Sequence, residues 1–355
     1  MTSSPDLDLE LDLDLQTASS ASPAPLASSA PSTPPRRPVR FSVPGTSAEA
    51  AAATASAATA TAGHEIAAWH YPGTNGACVV MAGGLAVTKE PATDQFAARF
   101  HAAGYSVLAF DYRRLGESDG RPRQIMRVHE QLTDWQTAIA HAATLPGVDP
   151  TRVAAWGFSA SGGHIFEVAA RSPRLAAAIA QTPNVGGLAA GRAVMRYQTT
   201  GASIRVLTRA VRDAFRGLLG REPLLLPLGG APGEIALLTT PDVADTQAAL
   251  NPGGRYDTTW LQQAAARSVL RMAVYRPGRR RVSSAIACPL LVMVCDDDQT
   301  AHPPSAVAAA SRVPNAELVH LPGGHYAPFL AVHEQAVAAQ LDFLDRHLAL
   351  ATAAR

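Results

Sequence analysis

From about Ala77 onward the chain alternates between two apolar textures, short continuous runs and helical spacings. "ACVVMAGG" (77–84) is an unbroken apolar run closed by two glycines, as expected of a strand buried on both faces of a parallel sheet. "ATDQFAARFHAAG" follows with helical spacing and a glycine stop, and "YSVLAFDYR" is the next strand. "QIMRVHEQLTDWQTAIAHAATL" predicts a long amphipathic helix, "GVDPTRVAAWGFS" a turn and strand, "GGHIFEVAARS" a helix and "LAAAIAQTP" a strand. Repeated βα units with buried strands predict an α/β fold with a doubly wound, mostly parallel sheet. The rhythm breaks between Asn184 and Ile286, where arginine and proline increase and the pattern reads as helices with irregular connections. It resumes with strand "CPLLVMVCDDD" (288–298), helix "PSAVAAASRV", strand "AELVHLPGGH" and helix "EQAVAAQLDFLDRHLALA". Residues 184–286 thus read as a mainly helical cap inserted late in the sheet, dividing the core into residues 37–183 and 287–355.

Upstream, "PVRFSV" (38–43) and "HEIAAWHY" (64–71) are strand-like and flank an Ala/Thr-rich stretch, residues 47–63, which reads as an expanded hairpin loop. Residues 1–36 begin with Asp-Leu alternation and continue in Ala, Ser and Pro, a composition that favours a disordered tail. The fold is therefore expected to begin near Arg37.

With 355 residues, 47% of them apolar, the chain can bury a sizeable core. A formal net charge of +1 gives no general bias toward nucleic acid or membrane surfaces. The three cysteines, Cys78, Cys288 and Cys295, have no C-x-x-C spacing. That excludes a small disulfide framework or a cysteine-rich zinc site and suits a reducing cytoplasm. The opening "MTSSPDLDLELDLDL" lacks the basic and apolar regions of a secretory signal, and no run of about 18 apolar residues predicts a membrane span. The expectation is a cytoplasmic protein without nucleic-acid partners.

Ligands of open α/β sheets bind beyond the carboxyl ends of the strands, and four features fall there. In "RVAAWGFSASGGHIF" (152–166), Ser159 and Ser161 lie in overlapping, incomplete G-x-S-x-G patterns. Such an elbow needs small neighbours because its serine takes strained backbone angles. The apolar strand ends at Gly157, so register puts Ser159 on the turn and Ala160 at the helix start, where its N–H can face an oxyanion. Ser161 falls on the helix. Helix capping is the alternative role for either serine. In "VMVCDDDQTAHPP", an acid after a late strand could orient a histidine. Asp298 is favoured as nearest the following turn, with Asp297 and Asp296 as alternatives; alternation would place Asp296 and Asp298 on one side. In "LPGGHYAPF", His325 follows a strand and two glycines; His302 and His320 are weaker candidates, and His164 reads as a packing or polar-network residue. In "MAGGLAVTKE", Gly83 and Gly84 allow close backbone approach, and Leu85 would donate a second oxyanion N–H. Neither G-x-x-x-x-G-K-[ST] nor G-x-G-x-x-G occurs at a strand end, which disfavours nucleotide binding.

In order and spacing, "VVMAGGLAVTKE", "GYSVLAFDYRRLGESDGRPRQ", "RVAAWGFSASGGH", "CPLLVMVCDDD" and "LPGGHY" resemble the α/β-hydrolase superfamily over roughly Arg37 to Ala354. More narrowly, "FDYRRLGESDGRPRQ…DW", "WGFSASGGH" and "YRPGRR" resemble a branch related to polyketide transferases and X-Pro-peptidase-like hydrolases. The resemblance implies the chain order Ser…Asp…His, Ser159 as nucleophile activated by His325, an acyl-enzyme, and attack by water or another acceptor. It implies no metal or organic cofactor.

Within the inserted block, "SIRVLTRAVRDAFRGLLG" spaces Arg205, Arg209, Arg212 and Arg216 along one helical face, with Ile204, Leu207, Val211, Phe215 and Leu218 opposite. A solvated arginine face is the simpler reading; docking of an acyl carrier protein or coenzyme A is the sharper one. The leucine-rich stretch 218–230 reads as an apolar substrate wall, favouring acyl, aromatic or lactone substrates over sugars. The expected functions are hydrolysis of an ester, thioester or lactone, acyl or polyketide transfer with the same residues, or binding on a hydrolase fold without catalysis.

Overall fold

Strand β1 (Arg37–Pro44) pairs antiparallel with β2 (Gly63–Tyr71), and Pro44 faces Gly63 across the hairpin end. A computed structural model of the protein describes residues 35–45 and 63–349. The tail up to residue 34 and the Ala/Thr stretch 46–62 therefore lie outside the described residues. The other strands are β3 (Cys78–Ala82), β4 (Ser106–Phe110), β5 (Val153–Phe158), β6 (Ala177–Gln181), β7 (Leu225–Pro227), β8 (Gln263–Ala265), β9 (Leu290–Cys295) and β10 (Ala316–Leu321). Eight of them form one sheet in the order β1-β2-β4-β3-β5-β6-β9-β10. The pairs β1–β2 and β2–β4 are antiparallel, and all later neighbours in that sheet are parallel.

Helices α1 (Asp94–Ala102), α2 (Val128–Ala142), α3 (Ala160–Arg171), α4 (Gly187–Met195), α5 (Thr200–Leu218), α6 (Ser268–Val274), α7 (Pro303–Ala310) and α8 (His333–Leu348) connect these strands, together with shorter helical turns. Strand alternation assigns the layers. Val80, Leu108, Ala155 and Val292 pack with Trp135 of α2, Phe166 of α3 and Ala306 of α7. Val79, Met81, Trp156 and Met293 instead pack with Phe96 of α1 and Phe343 of α8. Both faces of the parallel strands are thus covered, which is why those strands are continuous apolar runs.

Between β6 and β9 the chain leaves the main sheet and forms α4, α5, α6 and a two-stranded ribbon of β7 and β8 that periodicity did not predict. One expectation for this region, the apolar wall over residues 218–230, needs correction, and helix α5 shows which of its faces is covered. Helix α5 does not bury its apolar stripe: Ile204, Leu207, Val211, Phe215 and Leu218 are exposed, Phe215 to 64%. It packs instead through Ala202, Ala210 and Asp213, whose carboxylate receives a bidentate pair from buried Arg267 at 2.8 and 2.9 Å. Arg205, Arg209 and Arg216 donate to the backbone carbonyls of Gly233, Leu225 and Glu222. The leucines of 218–230 are also dispersed: Leu226 packs with Ala210 and Ala266 and Leu228 joins the main core, while Leu218 and Leu219 are exposed.

His164, on α3, is fully buried with Nδ1 2.8 Å from the Tyr275 hydroxyl and Nε2 3.0 Å from Gln131 Oε1. One neutral tautomer satisfies both partners, and burial pushes the imidazole from 6.5 down to about 3. Between those values the unfolded chain binds the additional proton, so stability rises with pH through that window. Lowering the pH from 7 to 5 is expected to cost about 2 kcal/mol through this residue. His164→Gln should flatten the dependence of the thermal midpoint on pH over that range; an unchanged slope would contradict a neutral His164.

Candidate functional site

Ser159 occupies the turn between β5 and α3 with φ 55° and ψ −113°, a conformation disfavoured for any residue with a Cβ. Its neighbours show how close packing holds the turn. A Cβ on Gly157 would lie 2.5 Å from the Ser161 carbonyl oxygen, and one on Gly163 would lie 2.2 Å from that of Asn184. The Ser159 N–H donates to Gln181 at 3.0 Å, and its carbonyl accepts from Gly163 and Asn184 at 2.9 and 3.0 Å. The side chain is thereby presented at the carboxyl end of the sheet.

His325 comes from the loop after β10 and is buried with only 1% exposure. Its Nε2 lies 3.0 Å from Ser159 Oγ, and its Nδ1 lies 2.7 Å from Asp298 Oδ2. Asp298 is also buried, and its other oxygen accepts the N–H groups of Thr300 and Ala301, both at 2.8 Å. This fixes the carboxylate's orientation and leaves Oδ2 to the imidazole. The three aspartates part company at the end of β9. The Asp298 N–H closes a turn onto the Cys295 carbonyl at 3.2 Å, so strand alternation stops there. Asp296 is exposed beside His320 at 2.7 Å, rather than sharing a side with Asp298, and Asp297 is exposed as well. His302 pairs locally with Ser305.

The loop after β3 completes the geometry. The Gly84 carbonyl accepts from Val87 at 3.3 Å, and the Ala86 carbonyl accepts from the Trp260 indole at 2.8 Å. Among the described residues, neither the Leu85 N–H nor the Ala160 N–H has a protein acceptor. Gly84 is required by proximity, since a Cβ there would lie 3.2 Å from that of Ser159. The Gly83 carbonyl accepts from Ser161 Oγ, which lies 2.5 Å from the Tyr112 hydroxyl; that hydroxyl in turn accepts from the Trp135 indole at 2.7 Å. All three side chains are buried. Ser161 is therefore bound to the loop after β3, not to His325.

Asp242 escaped the sequence reading. It sits on a helical turn, Pro241–Asp245, of the inserted block, and Oδ2 accepts the Gln299 N–H at 2.8 Å and the Thr300 hydroxyl at 3.3 Å. Burial pushes its carboxyl up, the Gln299 N–H pulls it back, and the nearby Asp298 charge adds to the rise. Its packing explains the second glycine before His325: a Cβ on Gly324 would lie 2.3 Å from Asp242 Oδ1. That glycine pair was the one available signal, and it specified no partner.

Above these groups lies a cavity of about 460 Å³. Leu85, Asn184 and Thr300 line it near the strand ends, and Val194, Ile204 and Val269 line it farther out on α4, α5 and α6.

A serine on a strained strand–helix turn, beside a histidine and a buried acid at the carboxyl end of this sheet, gives the chain the architecture of an α/β hydrolase, and it belongs to the family that includes the quorum-quenching protein AidA. The family model for serine aminopeptidase, S33, matches residues 73–216. The chain is 39% identical over 269 residues to the quorum-quenching protein AidA of Acinetobacter baumannii (strain MDR-ZJ06), covering 76% of this chain and 86% of that one. It is 33% identical over 167 residues to the polyketide transferase ATR5 of Stachybotrys chlorohalonatus (strain IBT 40285), covering 47% of this chain and 53% of the relative. Thus it spans about half the length of that fungal relative. The solved α/β hydrolase GrgF from Penicillium sp. sh18 has the same fold, with a TM-score of 0.70 and 23% identity over 89% of this chain and all of that one. Among the described residues no helix is long and apolar enough to cross a membrane.

Proposed function

We propose that the protein is a serine hydrolase that cleaves a carboxylic ester, thioester or lactone through an acyl-enzyme on Ser159. The observation that carries this reading is the continuous array Ser159 Oγ–His325 Nε2–Asp298, with separations of 3.0 and 2.7 Å. Ser159 Oγ attacks the substrate carbonyl while His325 Nε2 takes its proton. The carboxylate of Asp298 holds Nδ1–H and stabilises the imidazolium. The N–H groups of Leu85 and Ala160 receive the negative oxygen. His325 then protonates the departing alkoxide or thiolate, and a water molecule repeats the attack to release the acid and restore Ser159. The cavity beside Leu85 suits the apolar part of the substrate. The Acinetobacter relative is named a quorum-quenching protein, and removal of a small signal by hydrolysis is a chemistry that such a name admits.

The polyketide-transferase relative favours a second reading, in which an alcohol replaces water in the last step. Product analysis separates them. With a thioester substrate and an alcohol acceptor present, free acid is expected as the main product; predominant new ester would replace hydrolysis with transfer.

Ser161 has a positioning role in this scheme. Its hydroxyl fastens the Gly83 carbonyl, two residues before the Leu85 donor. Ser161→Ala should lower kcat about tenfold with little change in KM, a smaller loss than removing an oxyanion donor outright. Fluorophosphonate labelling should persist. A kcat equal to that of the unaltered protein would contradict the role.

A further inference from the structure

Two polar side-chain atoms in the wall of the cavity have no hydrogen-bond partner among the described residues. They are Asn184 Oδ1 and Thr239 Oγ1, both buried, and both residues line a space otherwise bounded largely by apolar groups. A buried amide or hydroxyl oxygen left unpaired is unfavourable, so a wall that retains two of them is matched to something that enters.

Both stand at the catalytic end. The Asn184 N–H donates to the Ser159 carbonyl at 3.0 Å, which ties this residue to the elbow. Thr239 precedes Thr240, whose hydroxyl lies 2.8 Å from that of Thr300; the Thr300 N–H bonds Asp298. The outer part of the cavity is lined by Val194, Ile204 and Leu207. The two oxygens thus belong to segments bonded to the elbow and to the Asp298 turn, while the lining as a whole is mainly apolar, with Gln198, Thr200, Ser203, Ser268 and Thr300 as its other polar side chains.

We propose that the site selects acyl groups bearing a hydroxyl close to the scissile carbonyl and an apolar tail, with Asn184 and Thr239 as the residues that read the hydroxyl. This inference rests on the proposed acyl-enzyme reading for its orientation of the substrate. Asn184 Oδ1 accepts the hydroxyl proton, and the Thr239 hydroxyl can donate to or accept from the same group. A plain acyl chain leaves both oxygens unpaired once it has displaced water, and that penalty is the source of selectivity.

The test compares β-hydroxyoctanoate with octanoate by calorimetry on the full-length Ser159→Ala protein, alongside turnover of their N-acetylcysteamine thioesters by the unaltered protein. The hydroxylated acid is expected to bind about tenfold more tightly and its thioester to show a kcat/KM about tenfold higher. Asn184→Leu and Thr239→Val should each shrink the binding ratio toward one while octanoate binding is kept or strengthened. Equal binding of the two acids, or a ratio unchanged in both variants, would overturn the inference. Fluorophosphonate labelling of Ser159 in the unaltered protein reports separately on the acyl-enzyme reading, so failure of that reading is recognised independently of the binding ratio.

Discussion

Replacing Ser159 with alanine is expected to lower kcat for a p-nitrophenyl ester by roughly 10⁴- to 10⁶-fold while KM changes little. Alanine removes only Oγ. The cavity remains, as do the unpartnered N–H groups of Leu85 and Ala160. Binding of the apolar group should therefore persist while the covalent route is lost, and any residual rate would come from polarisation of the carbonyl. The backbone at position 159 is held by three hydrogen bonds that alanine keeps, so the variant should fold. Circular dichroism and the thermal midpoint provide that check. A variant retaining a tenth of the activity would exclude Ser159 as the nucleophile.

Among the acids, Asp298→Asn is expected to lower kcat by about 10³- to 10⁴-fold at neutral pH, whereas Asp296→Asn and Asp297→Asn should remain within about twofold of the unaltered protein. The expected loss comes from the tautomer. A carboxylate 2.7 Å from Nδ1 accepts that N–H and leaves Nε2 able to accept the Ser159 proton. An asparagine can offer its own N–H to Nδ1 while its oxygen receives the Thr300 and Ala301 N–H groups, which places the ring proton on Nε2. Asp296 and Asp297 are exposed, and among the described residues the His325 ring bonds Asp298 and Ser159 rather than either of them. Comparable losses at Asp296 and Asp298 would contradict this assignment.

The central sheet is legible because β3, β5 and β9 are buried on both faces and each carries an uninterrupted apolar run. Register also separates the two serines, since the strand stops at Phe158 and the helix begins at Ala160. The choice among three consecutive aspartates depends on a turn from Cys295 to Asp298 that strand alternation cannot anticipate. Helix α5 illustrates a different limit. Its sequence is strongly amphipathic, yet periodicity identifies a stripe without saying what covers it; the contacts that seat the helix are two alanines and the Asp213–Arg267 pair. Asp242 had no local signature because its partners, Gln299 and Gly324, are distant in the chain and were brought to it by folding.

Reaction of the unaltered protein with a fluorophosphonate, followed by intact-mass analysis and mapping of the modified peptide, tests the acyl-enzyme assignment most directly. One adduct per chain is expected, located on Ser159, absent from Ser159→Ala and retained in Ser161→Ala. An adduct on Ser161, or labelling that survives Ser159→Ala, would contradict it.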